Sequence, residues 1–342
     1  MVAHHDHDGS GTDPPVSGGA VVVAGRTLPL TELLAGCLRT LRGAPPGDPA
    51  LADAQRAFLA GGLGALTDTP DREWVQVGLV PRADARTALY GLVSDIAHEL
   101  LDRGLATNFF FMHKPPGLRV RFQAAPDRYE ETRRRILGWS EELRGHSGVA
   151  TVLPAVYEPE ANLFGGPASM RHVHDLFTVD SLAWLAVHGR DGPEPASTWA
   201  VSLLMLRAVF EGLGVEGCEH WDVWDRVRTE TGRRLSTQAR TAAGVDDAAP
   251  RLRRLWDAPD VLLGLLPGWA QRVVERHRGE ALSVAHGWRS EYFQTRQACV
   301  GPRRAAAFYV VFHWNRAGLP AARQVLLAET LATPAEVEGG AA

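Results

Sequence analysis

The sequence predicts an α+β fold, an antiparallel sheet with helices packed on it and a mainly helical C-terminal half. Alternating or β-rich segments are confined to residues 74–157. Helical patterns fill almost everything after residue 170. Asn108–Phe122 reads as two strands joined by a Pro-Pro-Gly turn, Pro115 to Gly117, which makes the sheet antiparallel at that point.

Residues 1–19 are mostly His, Asp, Gly, Ser and Pro without periodicity and are expected to be a disordered tail. Residues 20–70 are expected to form a helical extension. Leu30, Leu33, Leu34, Leu38 and Leu41 recur at helical spacing, as do Leu51, Ala54, Phe58 and Leu59, and Gly43–Pro49 separates the two runs. The main domain is expected over 71–332, with a short tail at 333–342. Within it Trp74–Val80 alternates and is strand-like. Asp84–Arg103 is an amphipathic helix stopped by Gly104. Pro126–Glu142 is helical and highly charged, and Thr151–Tyr157 is a further strand. Helices are expected at Met170–His188, Thr198–Gly212, Trp221–Thr231, Leu252–Leu255, Trp269–Glu280 and Leu319–Leu331. Ala305–Trp314 is a buried stretch whose apolar run fits strand or helix.

The chain has 342 residues, 45% hydrophobic and 22% charged, which is ordinary for a globular protein with ample core. A net charge of -4 supplies no global basic field, so no direct contact with nucleic acid is expected. Lys114 is the only lysine. With arginine replacing lysine throughout, arginine content alone says nothing of function. Cys37, Cys218 and Cys299 are odd in number and far apart, which fits a reducing compartment. No signal segment opens the sequence, and the longest apolar run, Ala200–Phe210, is too short to span a bilayer. The expected location is the cytoplasm, without membrane contact.

No P-loop, GxSxG or HExxH motif occurs. Gly212-Leu-Gly-Val-Glu-Gly217 has glycine spacing for a dinucleotide, but it follows an apolar helix rather than a strand, so it reads as a helix stop. His172 and His174 are two apart and do not share a helix face, which makes them poor joint metal ligands. No metal or organic cofactor is expected.

The residues that could carry chemistry lie in three segments. In Gly117–Phe122, period two places Arg119 and Arg121 on one face and Leu118, Val120 and Phe122 on the other. Two fixed guanidiniums make a carboxylate or phosphate receptor; the alternative is a solvated strand face. Lys114 and Tyr157 are further candidate substrate contacts. Glu158 and Glu160 alternate after the Thr151 strand, and they fit either an ion-pair network or acid–base work. His313 sits in an apolar run and is followed by Trp314, Asn315 and Arg316. It fits either a hydrogen-bonded core histidine or a proton shuttle, with Trp314 and Asn315 as candidate substrate contacts.

Four stretches in this order resemble a known family: Phe110-Phe-Met-His-Lys-Pro-Pro-Gly-Leu-Arg-Val-Arg-Phe122, Tyr157-Glu-Pro-Glu-Ala-Asn-Leu-Phe-Gly-Gly166, Leu176-Phe-Thr-Val-Asp-Ser181 and Phe312-His-Trp-Asn-Arg-Ala-Gly-Leu319. The family is the C-terminal domain of lantibiotic dehydratases, which also occurs as a separate chain in thiopeptide-type bacteriocin biosynthesis. The likeness covers roughly Trp74 to Leu331. It implies a precursor peptide with a leader sequence as substrate, and a separate glutamyl-tRNA-dependent glutamylation subunit as a partner. Two chemistries are implied. One removes the α-proton of a glutamylated Ser or Thr and expels glutamate, leaving dehydroalanine or dehydrobutyrine. The other is the formal [4+2] cycloaddition of dehydroalanines that builds a pyridine and expels the leader. A noncatalytic precursor-binding subunit is the third expectation. The resemblance aligns His313 with the family's elimination histidine and Arg119 and Arg121 with its paired strand arginines. Nisin-type enzymes carry a further catalytic arginine in the second stretch. Here Pro159, Leu163 and Phe164 stand in that neighbourhood, and Arg316 or Arg171 would have to substitute.

Overall fold

The computed structural model describes residues 19–23, 25–44, 51–59, 73–82, 86–144, 149–192 and 195–333. The tails expected at 1–19 and 333–342 lie outside these, apart from Gly19 and Thr333. The chain divides into two compact units, Met1–Arg72 and Glu73–Ala342.

The first unit corrects the helical reading of its opening residues. Strand β1 (Ala20–Val23) pairs antiparallel with β2 (Arg26–Pro29) before helix α1 (Leu30–Leu41) begins. The cause is local. Val21–Val23 is β-branched throughout, and Gly25 at φ +78° reverses the chain in a conformation other residues resist. A second helix, α2, covers residues 51–59. Thr40 donates to Gln55 at 2.9 Å, joining α1 to α2.

In the second unit, strands β3 (Trp74–Pro81), β4 (Ala106–Lys114), β5 (Gly117–Ala124) and β6 (Val149–Ala155) form an antiparallel sheet in the order β4-β5-β3-β6. Helix α3 (Arg86–Asp102) links β3 to β4, and α4 (Tyr129–Arg144) links β5 to β6. One sheet face carries Val75, Val77, Leu79, Phe109, Phe111, Val120 and Phe122, all buried. Helix α3 covers this face, with Tyr90 6.2 Å from Phe111 between ring centres. Each such side chain contributes about 1.5–3 kcal/mol by leaving water. Register sets the opposite face in cross-strand rows. One row is Ala155, Gln76, Arg121 and Phe110; the next is Leu153, Gly78, Arg119 and Met112.

The rest of the unit is helical: α5 (Ala161–Phe164), α6 (Pro167–His188), α7 (Thr198–Leu213), α8 (Glu219–Glu230), α9 (Thr237–Ala242), α10 (Val245–Asp257), α11 (Pro259–Gly264), α12 (Gly268–Trp288), α13 (Pro302–Arg316) and α14 (Ala321–Ala332). Helix α6 is the hinge of the architecture, touching β4 on one side and α12 and α13 on the other. It also closes the edge of the sheet. The Phe109 amide donates to Thr178 Oγ1 at 3.0 Å and the Phe111 amide to Ser181 Oγ at 3.3 Å, so two outward-facing donors of β4 are satisfied.

The apolar stretch left open between strand and helix is helix α13. Gly212 and Gly214 lie at the end of α7, as the helix-stop reading expects. A Cβ at Gly212 would sit 2.6 Å from Ala285 Cβ, so this glycine lets α7 and α12 approach, and Gly214 at φ +69° ends the helix. Among the described residues no helix is long and apolar enough to cross a membrane.

Candidate functional site

Arg121 is 7% exposed, which excludes a solvated strand face. Its guanidinium lies 4.9 Å from the Phe110 ring centre and 4.8 Å from that of Tyr157, and its Nε donates to Gln76 Oε1 at 2.5 Å. Phe110 comes from the neighbouring strand, and Tyr157 from the segment that leaves β6. Burial lowers the Arg121 pKa to about 10, against the attraction of Tyr157 and Glu160. It remains a cation at neutral pH, held in a fixed orientation.

Tyr157 in turn is fixed by His174 on α6, at 2.9 Å between hydroxyl oxygen and Nε2. Burial and the nearby charge of Arg121 push His174 down to about 3. An unfolded histidine titrates near 6.5, so between these values the unfolded chain binds more protons and stability falls as pH falls. The loss is at most about 1.4 kcal/mol per pH unit, several kcal/mol in all by pH 3. Denaturant unfolding at pH 7, 5 and 4 should show this decline, and His174→Asn should make it shallower; an unchanged slope would remove His174 from the account.

Arg119, half-buried, stands one row from Arg121. Among the described residues no hydrogen bond or ion pair engages its side chain, and no carboxylate contacts either arginine. Lys114 lies on the same face by strand alternation and is exposed. Glu158 and Glu160 are exposed in the loop after β6, Glu160 at the start of α5. They form no ion pair with the arginines; only Glu160 acts on Arg121 electrostatically.

Arg316 reaches this face from α13. Its Nη1 lies 3.8 Å from Met112 Sδ, and Met112 is the cross-strand partner of Arg119. The guanidinium stacks over Phe177 at 4.2 Å, and its Nε donates to Asp180 Oδ2 at 2.6 Å. Its Nη2 has no hydrogen-bond partner among the described residues. Of the two arginines that could substitute for the missing one, Arg316 meets the Arg119 row, whereas Arg171 is exposed and paired with Glu291 at 2.7 Å.

Asp180 is the residue that sequence reasoning missed. It is fully buried on α6 and joins Arg316 to His313, whose Nδ1 lies 2.8 Å from Asp180 Oδ1. Burial opposes its ionisation, yet facing His313 and Arg316 it is held well below the usual carboxylate range. His277 Nε2 approaches Asp180 Oδ1 to 3.3 Å without hydrogen-bonding geometry. His313 Nε2 lies 2.9 Å from Ser202 Oγ. Burial lowers the His313 pKa against the pull of Asp180, and facing that carboxylate Nδ1 donates to Asp180. Asp180 lay in view within Leu176-Phe-Thr-Val-Asp-Ser181, but only the fold shows that its position on α6 faces α13.

Several expected site residues sit elsewhere. His313 is fully buried with both nitrogens engaged, so the expected direct proton transfer to substrate does not fit this geometry. Trp314 is a core residue rather than a substrate contact: it is fully buried and stacks on Trp224 at 6.0 Å. Asn315 points away from the arginines. Its carbonyl oxygen is 2.9 Å from His113 Nδ1, and its side chain lies 3.5 Å from Gln324 Nε2. Tyr157 is buried as a wall of the arginine site. A cleft of about 760 Å³ between α3, α6 and α12 reaches His277 but none of the arginines on the sheet face. Among the described residues no group of three or more His, Cys, Asp or Glu could hold a metal ion.

The sequence profile described as "Lantibiotic biosynthesis dehydratase C-term" matches residues 74–334. No curated protein matches the chain in sequence. Among solved structures, the tRNA-dependent lantibiotic dehydratase MibB from Microbispora sp. 107891 is similar to 77% of this chain, with a TM-score of 0.53 and 18% identity. The match spans 28% of MibB. TsrL is similar over 76% of this chain and 93% of its own, at 15% identity, with a TM-score of 0.47.

Proposed function

Because the chain belongs to the lantibiotic dehydratase C-terminal family, we propose that it eliminates glutamate from glutamylated Ser or Thr of a precursor peptide. One observation carries this reading: two adjacent arginines share a sheet face, one half-exposed and one fixed by aromatic rings, and no carboxylate contacts either among the described residues. A glutamyl ester brings a carboxylate that such forks bind well. Arg316, with Nη2 unpaired, adds positive charge beneath the same face.

In this reading Arg119 and Arg121 hold the glutamyl group. A carboxylate takes the α-proton of the acylated residue, the electron pair forms the Cα–Cβ double bond, and the Cβ–O bond breaks to release glutamate. Glu160 is the exposed carboxylate that acts on Arg121, and we assign it the base role. Charge developing on the substrate is stabilised by guanidiniums already oriented before it arrives. His313 acts at a distance as a positioning residue, holding Asp180, which holds Arg316.

The missing arginine between Tyr157 and Gly166 favours the second reading, pyridine formation from dehydroalanines with leader expulsion, which needs no glutamate receptor. An assay for free glutamate separates the two. With a Ser-glutamylated peptide the chain should release glutamate, free glutamate should inhibit, and Arg119→Ala should weaken that inhibition. An intact ester after prolonged incubation overturns the elimination reading.

A further inference from the structure

Gly78 lies at the centre of the row that contains Arg119, with Leu153 on its other side. A glycine inside a strand costs stability, so it usually has a backbone or packing reason. Here neither applies. Its φ is not among the positive values of this chain. A Cβ built on it would meet only Leu153, at 3.4 Å from both Cβ and the carbonyl oxygen, which is van der Waals contact rather than a clash. The fold would accept a side chain at this position.

With no side chain at Gly78, Arg119 and Leu153 flank a short trough of bare backbone, bounded along β3 by Gln76 and Val80, which share its face by strand alternation. Its floor is Gly78, one wall is the half-buried Arg119, and the other is Leu153, an apolar side chain 45% exposed. A cationic wall opposite an apolar wall, over a floor of bare backbone, matches a ligand that is anionic on one side and apolar on the other. We propose that this trough seats the precursor peptide at its acylated residue. The peptide backbone passes over Gly78, the glutamyl carboxylate turns to Arg119, and an adjacent apolar side chain lies against Leu153. Gly78 then determines specificity, admitting a chain where a larger residue admits only the isolated glutamyl group. This rests on the elimination reading, since it takes the carboxylate at Arg119 to be that of the glutamyl group.

Binding to two unreactive probes tests the trough. In both, diaminopropionate carrying a glutamyl amide replaces the glutamylated serine. One probe is an extended peptide with apolar flanking residues; the other is the single N-acetylated residue. Gly78→Val should weaken the peptide about tenfold or more and leave the single residue unaffected, and Gly78→Ala should give a smaller change in the same direction. Circular dichroism and melting of both variants check that the sheet is intact. Arg119→Ala should weaken both probes. If a folded Gly78→Val chain binds the peptide like wild type while Arg119→Ala does not, the trough is overturned and the arginine receptor stands. If Arg119→Ala binds both probes like wild type, the receptor fails, and the trough with it.

Discussion

Asp180→Ala is expected to cost about 3–5 kcal/mol of folding stability, the scale for breaking a buried ion pair from one side. Asp180 and Arg316 are both fully buried, and the 2.6 Å bond from Arg316 Nε is the one ionic contact of that guanidinium among the described residues. Removing the carboxylate leaves a buried cation stacked over Phe177 beside the Met112 thioether, with no other ion-pair partner among the described residues. It also deprives His313 Nδ1 of its acceptor. Asp180→Asn should cost less, because the amide oxygen still accepts. The carboxyl pKa is depressed in the folded chain, so its contribution is present above about pH 4, the unfolded value, and is lost as pH falls through the folded value. Chemical denaturation at neutral pH measures the difference. A chain without Asp180 that is as stable as wild type would mean that Arg316 is solvated or paired in another way.

The two strand arginines should separate in their effects. Arg119→Ala should reduce kcat/KM by about tenfold to a hundredfold with little change in melting temperature, since it removes a charged hydrogen bond to substrate from a half-exposed position. Arg121→Ala should lose at least as much activity and destabilise the fold as well. It vacates the space between Phe110 and Tyr157 and leaves Gln76 Oε1 without its donor. Arg121→Lys should not rescue, because a point charge cannot stack between two rings and donate sideways to Gln76. Full activity in both alanine variants would return this strand face to a purely structural role.

Much of this was legible in the sequence. Period two in β5 separated the arginines from Leu118, Val120 and Phe122, and that separation fixed the apolar face against α3. The hairpin turn follows from Pro-Pro-Gly, whereas the helix expected from Met170 begins three residues earlier, at Pro167, because proline suits the first helical position. Other features were hidden for physical reasons. Helix α13 is buried on nearly all sides, so its apolar residues carry no period to distinguish helix from strand. The β1–β2 hairpin is four residues per strand, shorter than the leucine spacing that dominated its neighbourhood. The role of Asp180 depends on a contact with His313, 133 residues away, and the burial of Trp314 on its stacking against Trp224 from another helix. Local sequence held the residues of that network but not their meeting. Arg121 is the intermediate case: its face was readable, while its aromatic clamp required Tyr157 to fold back from beyond β6.

Whether the arginine face takes a glutamyl ester decides between the two reactions. Mass spectrometry of the chain incubated with an equimolar mixture of two precursors tests this most directly. One precursor carries glutamylated serines and the other preformed dehydroalanines. Loss of glutamate from the first, with dehydroalanine at each acylated position and the second unchanged, is the predicted result. Conversion of the second to a pyridine with a released leader, while the glutamyl esters of the first persist, would contradict it.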